Sequence, residues 1–266
     1  MNRTSNDNLQ TFGEHLDVLR KMLFRIVVLS FAIAFAVFFF KETIFKWLLA
    51  PCTSNFITYG FVNKVLHVIY GGKEIYTSDI ELIATDLPSQ FLAHMSMSLY
   101  IGILLASPFI IYELFKFVAP ALYNQERKYS SRIIISAYAL FIAGLAVSYF
   151  LLFPISCRFL ATYSVSEHVK TMITLDSYLS TFISLTLLMG FVFQLPILSF
   201  FLSRLGVISP SLMIEYRKHA FVLILIVAAI ITPPDVMTLI LVSFPLYILY
   251  EVSIVVVRIS KAKTVK

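Results

Sequence analysis

The chain has 266 residues, of which 59% are hydrophobic and only 14% charged, and it carries a net charge of +6. A soluble domain holds roughly 25% charged residues, so the composition excludes an ordinary water-soluble enzyme and points to a protein solvated by lipid. The positive charge is spread by loop, which reads as membrane topology rather than as a nucleic-acid surface.

Residues 1–21 form a mostly polar arm. Thr11-Phe12-Gly13-Glu14 matches a capping box, the reciprocal hydrogen-bonding pattern that starts a helix. Phe12, Leu16, Leu19 and Leu23 then recur at helical spacing, with Glu14, Asp17 and Lys21 turned elsewhere. This predicts an amphipathic helix at the membrane surface, either an ordinary anchor with no partner or one whose acidic face is presented to the cytoplasm. The first apolar run, Met22–Phe40, approaches the length of about 20 residues needed to cross a hydrocarbon core of roughly 30 Å. It lacks the small-residue site that follows a cleavable signal, so it is expected to stay as an anchor.

The segment 41–90 contains Pro51, Gly60, Gly71 and Gly72, which rule out one continuous helix. A short helix is expected near Phe61–Ile69, inside a cap on the external face too small to bury a core of its own. The second apolar run is Phe91–Phe115, interrupted by Pro108. Near its end Glu113 and Lys116 lie three apart, where they can pair on one helix face or snorkel. After the loop 119–131 come Ile133–Phe153, an external segment Pro154–Ser177, and Tyr178–Leu202, in which Gln194 precedes Pro196.

The loop 204–218 leads into a shorter run, Ala220–Ile231. At ~1.5 Å per residue it makes only ~18 Å of helix, so a thinned bilayer or a protein recess is expected beside it. The turn Thr232-Pro233-Pro234-Asp235 ends that run. Leu239–Val257 follows, carrying Pro245 and Glu251, before the tail 258–266. Basic residues gather in the two terminal segments and in the loops 119–131 and 204–218, which places these segments and both termini in the cytoplasm. The expected fold is all-α. A single membrane domain, 1–266, has six transmembrane helices, bent at Pro108, Pro196 and Pro245 into a concave wall.

Ionisable and amide groups inside spans are costly and often functional. Glu113, Gln194 and Glu251 are therefore singled out. Glu251 is expected either to pair with a neighbouring helix or to line a polar recess. Gln194 is expected either to satisfy a carbonyl freed by Pro196 or to face a wet cavity. No phosphate-cradling glycine loop, zinc-binding His pair or nucleophile turn occurs, so no cofactor, metal or catalytic residue is assigned. Cys52 and Cys157 both fall on the external side, as two free thiols or as a disulfide.

Several stretches carry a family resemblance. His15-Leu16-Asp17-Val18-Leu19-Arg20, Ile83-Ala84-Thr85-Asp86 with Phe91, and Phe117-Val118-Ala119-Pro120-Ala121-Leu122-Tyr123 followed by Glu126-Arg127-Lys128 resemble the TatC family. Ser177-Tyr178-Leu179, Phe193-Gln194-Leu195-Pro196 and Thr232-Pro233-Pro234-Asp235 are similar to three more of its signatures. TatC is the multi-spanning receptor of the twin-arginine protein translocase, which exports folded proteins bearing a signal peptide with two consecutive arginines.

The resemblance implies a signal-peptide surface in which Glu126 is the matching carboxylate, with Phe117, Tyr123, Arg20 and Arg127 around it. Paired guanidinium groups favour such carboxylate acceptors. The family's second acid falls on Val18 here, so Glu14 or Asp17 is expected to replace it. Where family members often carry Glu, this chain has Gln194. Asp86, Asp235 and Pro51 belong to external-side motifs. The implied partners are TatA-like or TatB-like single-span proteins, twin-arginine signal peptides, lipid and further copies of the chain in the bacterial inner membrane. Nucleic acid is not among them. A small-solute secondary transporter is the alternative, although the repeated halves it would show are not visible. An intramembrane hydrolase lacks a recognisable nucleophile and base.

Overall fold

Each apolar run is helical in the computed structural model, which describes residues 12–70, 78–118, 130–164, 166, 168, 171–232 and 235–262. The order is α1 (Phe12–Phe38), α2 (Lys41–Leu48), a 3-10 turn (Ala50–Cys52), α3 (Ile57–Tyr70), β1 (Leu82–Ile83), α4 (Ser89–Val118) and α5 (Ser130–Val147). A π-helical turn (Ser148–Leu152) leads into α6 (Phe153–Thr162), then β2 (Ile173–Thr174), α7 (Leu175–Val192), α8 (Leu195–Arg204), α9 (Pro210–Glu215), α10 (Arg217–Ile231) and α11 (Val236–Ala262).

Five helical stretches among the described residues are long and apolar enough to cross a membrane: Leu16–Phe38, Ser89–Phe117, Ser131–Thr162, Leu175–Arg204 and Val236–Ser260. The sixth, α10, has 15 residues, about 22 Å of helix. One extra turn, α9, precedes it, capped by Ser209, whose Oγ accepts from the Leu212 amide at 3.2 Å. The expected short fifth span is therefore present.

The chain divides into two units. The first comprises Met1–Phe39 and Ser98–Ile134. Here α1 meets α4 at Gly102, where a Cβ would lie 2.7 Å from the Ala34 Cα and backbone nitrogen. Two backbones approach this closely only over a residue without a side chain. Without a hydrophobic drive between helices in lipid, such close packing is what holds spans together.

The second unit comprises Phe40–Met97 and Ile135–Lys266. Its α5 and α7 touch the same way, with a Cβ on Gly144 falling 2.6 Å from the Met189 carbonyl oxygen. Leu152, Phe153, Leu185 and Met189 are fully buried in its core. At its other end α11 packs on α8, α9 and α10, burying Val242, Leu246, Ile254 and Val257.

Three boundaries depart from the sequence reading. The third span runs on to Thr162 instead of stopping at Phe153, because the π-helical turn carries the helix past Pro154. Proline cannot donate to the carbonyl four residues back. The Phe150 carbonyl so released accepts the Thr58 hydroxyl from the cap. The fourth span is broken at Phe193–Gln194, before Pro196. The cap helix begins at Ile57, earlier than Phe61.

The cap is tied down through backbone carbonyls that its short helices cannot satisfy internally. Tyr178 donates to Leu48 at 2.7 Å, and Tyr149 to Trp47 at 2.7 Å. The Tyr59 hydroxyl donates to Pro51 at 2.7 Å and approaches the Pro154 carbonyl at 3.2 Å. Arg158, only 2% exposed, lies 5.0 Å over the Tyr59 ring. Residues 82–83 pair in parallel with 173–174, and the Ser89 hydroxyl donates to Asp176 at 2.9 Å.

Candidate functional site

In the first unit, charge collects in the first turns of α1 and near the end of α4. The α1 helix begins at Phe12 and runs unbroken to Phe38, so the arm acids lie on the same continuous helix as the first span and not on a separate surface helix as the sequence suggested. Glu14 is in its first turn. Asp17 and Arg20 are exposed, and Val18, where the family acid would stand, is 38% exposed. One turn further along, Arg25 donates to the Lys21 carbonyl and places its Nη2 3.3 Å from Glu113 Oε2 on α4.

Glu113 is 4% exposed, so its carboxylate is removed from water and depends on that guanidinium. Of the two outcomes open to Glu113 and Lys116, pairing or snorkelling, the pair is not formed. The two lie on one helix face, but Lys116 is exposed at the helix end, where its charge can stay hydrated. Phe117 follows Glu113 by one turn, partly buried, and opens the segment that carries the remaining residues. Tyr123, Glu126 and Arg127 lie outside the described residues.

The other polar residues of the spans belong to the second unit and have separate partners. Gln194 sits at the break between α7 and α8, and its Nε2 donates to the Ala137 carbonyl of α5 at 3.1 Å. That amide bridges two spans; it does not close onto the carbonyl freed by Pro196. Glu251 is fully engaged. Arg217 Nη2 donates to Oε2 at 2.7 Å and the Tyr247 hydroxyl donates to Oε1 at 3.1 Å. The helix-to-helix pair, rather than an open polar recess, is what forms.

The residues expected on the external side also have distinct places. Asp235 caps α11, its Oδ1 accepting from the Thr238 amide at 2.6 Å. The Pro51 carbonyl is the Tyr59 acceptor described above. Asp86 faces a cleft with Lys41 and His94. Cys52 and Cys157 are both buried free thiols. Burial pushes the Cys52 thiol up, against the smaller opposing effect of its hydrogen bond with Tyr178. Among the described residues no group of three or more His, Cys, Asp or Glu is placed to hold a metal ion.

Sequence reasoning missed Arg25 and Arg217 as partners of Glu113 and Glu251, reading both as topology charges. The available signal was their position: Arg25 falls inside the apolar run Met22–Phe40 and Arg217 opens the helix of the run Ala220–Ile231, where an unpaired charge is expensive.

The comparisons with known proteins agree along nearly the whole chain. The family model described as "Sec-independent protein translocase protein (TatC)" matches residues 14–245. The chain is 34% identical over 259 residues to the Sec-independent protein translocase protein TatCy of Bacillus subtilis (strain 168), covering 97% of this chain and 93% of that one. It is 35% identical over 251 residues to TatC of Blattabacterium sp. subsp. Periplaneta americana (strain BPLAN), covering 93% and 94%. The crystal structure of the twin-arginine translocase receptor TatC is similar with a TM-score of 0.73 at 28% identity, covering 93% of this chain and 100% of that chain.

Proposed function

The chain belongs to the TatC family of Sec-independent protein translocase proteins, and from that premise we propose how this twin-arginine translocase component captures its cargo. Glu126, with Glu14 or Asp17 on the arm, accepts the two guanidinium groups of a signal peptide. Phe117 and Tyr123 flank the bound segment, and Arg20 and Arg127 set the spacing of the surrounding charge. The proposal places both termini and the loop 119–131 in the cytoplasm of a bacterial cell, because the basic residues gather there. Single-span TatA-like or TatB-like proteins and further copies of the chain complete the translocase. No observation favours the solute-transporter alternative.

The observation that carries the site reading is the Arg25–Glu113 pair. It clamps α1 to α4 a few turns before the arm acids on one side and the Glu126 segment on the other. At ~1.5 Å per residue, Asp17 is about 12 Å along α1 from Arg25. The helix that carries the arm acids and the helix that precedes the Glu126 segment are thus joined at this pair. A guanidinium pair matched to two carboxylates gains charge-assisted, bidentate bonds that two ammonium groups do not reproduce.

The test is export of a folded reporter carrying a twin-arginine signal. Glu126→Ala is expected to cut export by about tenfold or more, the loss of one charged hydrogen-bonding partner. Glu14→Ala and Asp17→Ala, made separately, identify the acid that replaces the one missing at Val18. Unchanged export and unchanged signal crosslinking in Glu126→Ala would overturn the assignment.

A further inference from the structure

We propose that the cleft between the start of α2 and the segment leading into α4 seats the headgroup of a zwitterionic aminophospholipid, of the phosphatidylethanolamine class. The cleft has a volume of about 740 Å³ and lies wholly within the second unit. Its position sets the environment. Lys41 comes three residues after the span ending at Phe38, and Asp86 comes three residues before the span beginning at Ser89. Both therefore stand at the level of the lipid headgroups that border the hydrocarbon core.

The charges select the ligand. The cleft presents one ammonium, from Lys41, and one carboxylate, from Asp86, with the amide of Gln90 alongside. Among the described residues Lys41 and Asp86 form no ion pair with each other or with a neighbour. Two opposite charges that share a cleft without neutralising one another leave room for a ligand carrying both. A phosphodiester satisfies Lys41, and a primary ammonium with its N–H donors satisfies Asp86. A purely anionic headgroup would bring Asp86 no counter-charge, and a choline headgroup would bring no N–H donor to it.

The rim selects the source of that headgroup. Leu87 is fully exposed and Phe91 is 59% exposed, both lining the same cleft. Large apolar side chains beside paired charges suit acyl chains emerging below a headgroup. A water-soluble phosphoethanolamine would leave them bare. The inference rests on the membrane-spanning fold alone, so it stands or falls apart from the signal-peptide reading.

The test is native mass spectrometry of the delipidated full-length protein in detergent, titrated with phosphatidylethanolamine, phosphatidylcholine and phosphatidylglycerol of matched acyl chains. Phosphatidylethanolamine is expected to be retained preferentially. Lys41→Met and Asp86→Asn are each expected to weaken that retention by about tenfold, the effect of one charged contact. Lys46→Met, which lines a separate hollow with Trp47, is expected to retain it as the parent does. Equal retention of all three lipids by the unsubstituted protein would overturn the proposal without recourse to any variant. Unchanged retention in Lys41→Met and Asp86→Asn would do the same. Displacement of the lipid by equimolar soluble glycerophosphoethanolamine would exclude the bilayer as the source.

Discussion

Arg217 and Glu251 join α10 to α11 through a contact of 2.7 Å, and Tyr247 occupies the second carboxylate oxygen from one turn away on α11. The short helix α10 is thereby anchored at its first residue. Both oxygens of this carboxylate accept a hydrogen bond from a side chain, one from each helix. It acts as a strut for the pair of helices.

Arg217→Met is expected to destabilise the protein by about 1–2 kcal/mol. This is less than the ~3–5 kcal/mol of a fully buried broken pair, because the two side chains are 43% and 34% exposed. Arg217→Met combined with Glu251→Gln should recover most of the loss. Thermal unfolding in detergent, read as a double-mutant cycle, measures the coupling.

Gln194→Leu is expected to cost about 1 kcal/mol, the scale of an interhelical hydrogen bond in a membrane, by releasing the Ala137 carbonyl. Gln194→Glu should be worse at neutral pH, since a carboxylate has no proton to donate. The deficit of Gln194→Glu should shrink as the pH falls and the acid becomes a donor. Stability of both variants, measured across pH 5 to about 8, separates the two effects.

Gly102→Val is expected to force α1 and α4 apart at Ala34, costing about 1–3 kcal/mol or more through overpacking. Gly60→Val meets no atom within 4 Å and serves as the tolerated comparison for space, although it changes helix propensity. Disulfide crosslinking between cysteines introduced on α1 and α4 would report the separation directly.

Asp79 predicts a pH dependence of the cap. Its Oδ1 accepts from the Ser54 amide at 2.7 Å, and that bond holds the carboxyl below its ordinary value of 3.8. The folded form thus favours the carboxylate. Its contribution is complete above the ordinary value and is lost as the pH falls through the depressed one. Protease protection of the segment 41–90 should therefore weaken below about pH 4, and Asp79→Asn should remove that dependence. An unaltered acid profile in Asp79→Asn would assign the weakening to other groups.

The apolar runs were legible as helices because lipid leaves a backbone no other local way to satisfy its hydrogen bonds. Length and hydropathy placed the spans, and the shortness of Ala220–Ile231 survives as a helix of 15 residues. The end of the third span was not legible. Pro154 looks like a stop, yet Thr58, distant in sequence, accepts the structural cost by donating to Phe150. The pairing of residues 82–83 with 173–174 was equally invisible, because two-residue strands carry no periodicity.

Sequence alone determined that this chain is a six-helix membrane protein of the TatC type, since span length, loop charge and family motifs are local properties of the residues. Tertiary structure decided which charge answers which. Glu113 chose Arg25 over nearby Lys116, and Glu251 chose Arg217 from another helix. In a low-dielectric interior an acid takes the partner that packing brings within reach, and packing is set by residues far apart along the chain.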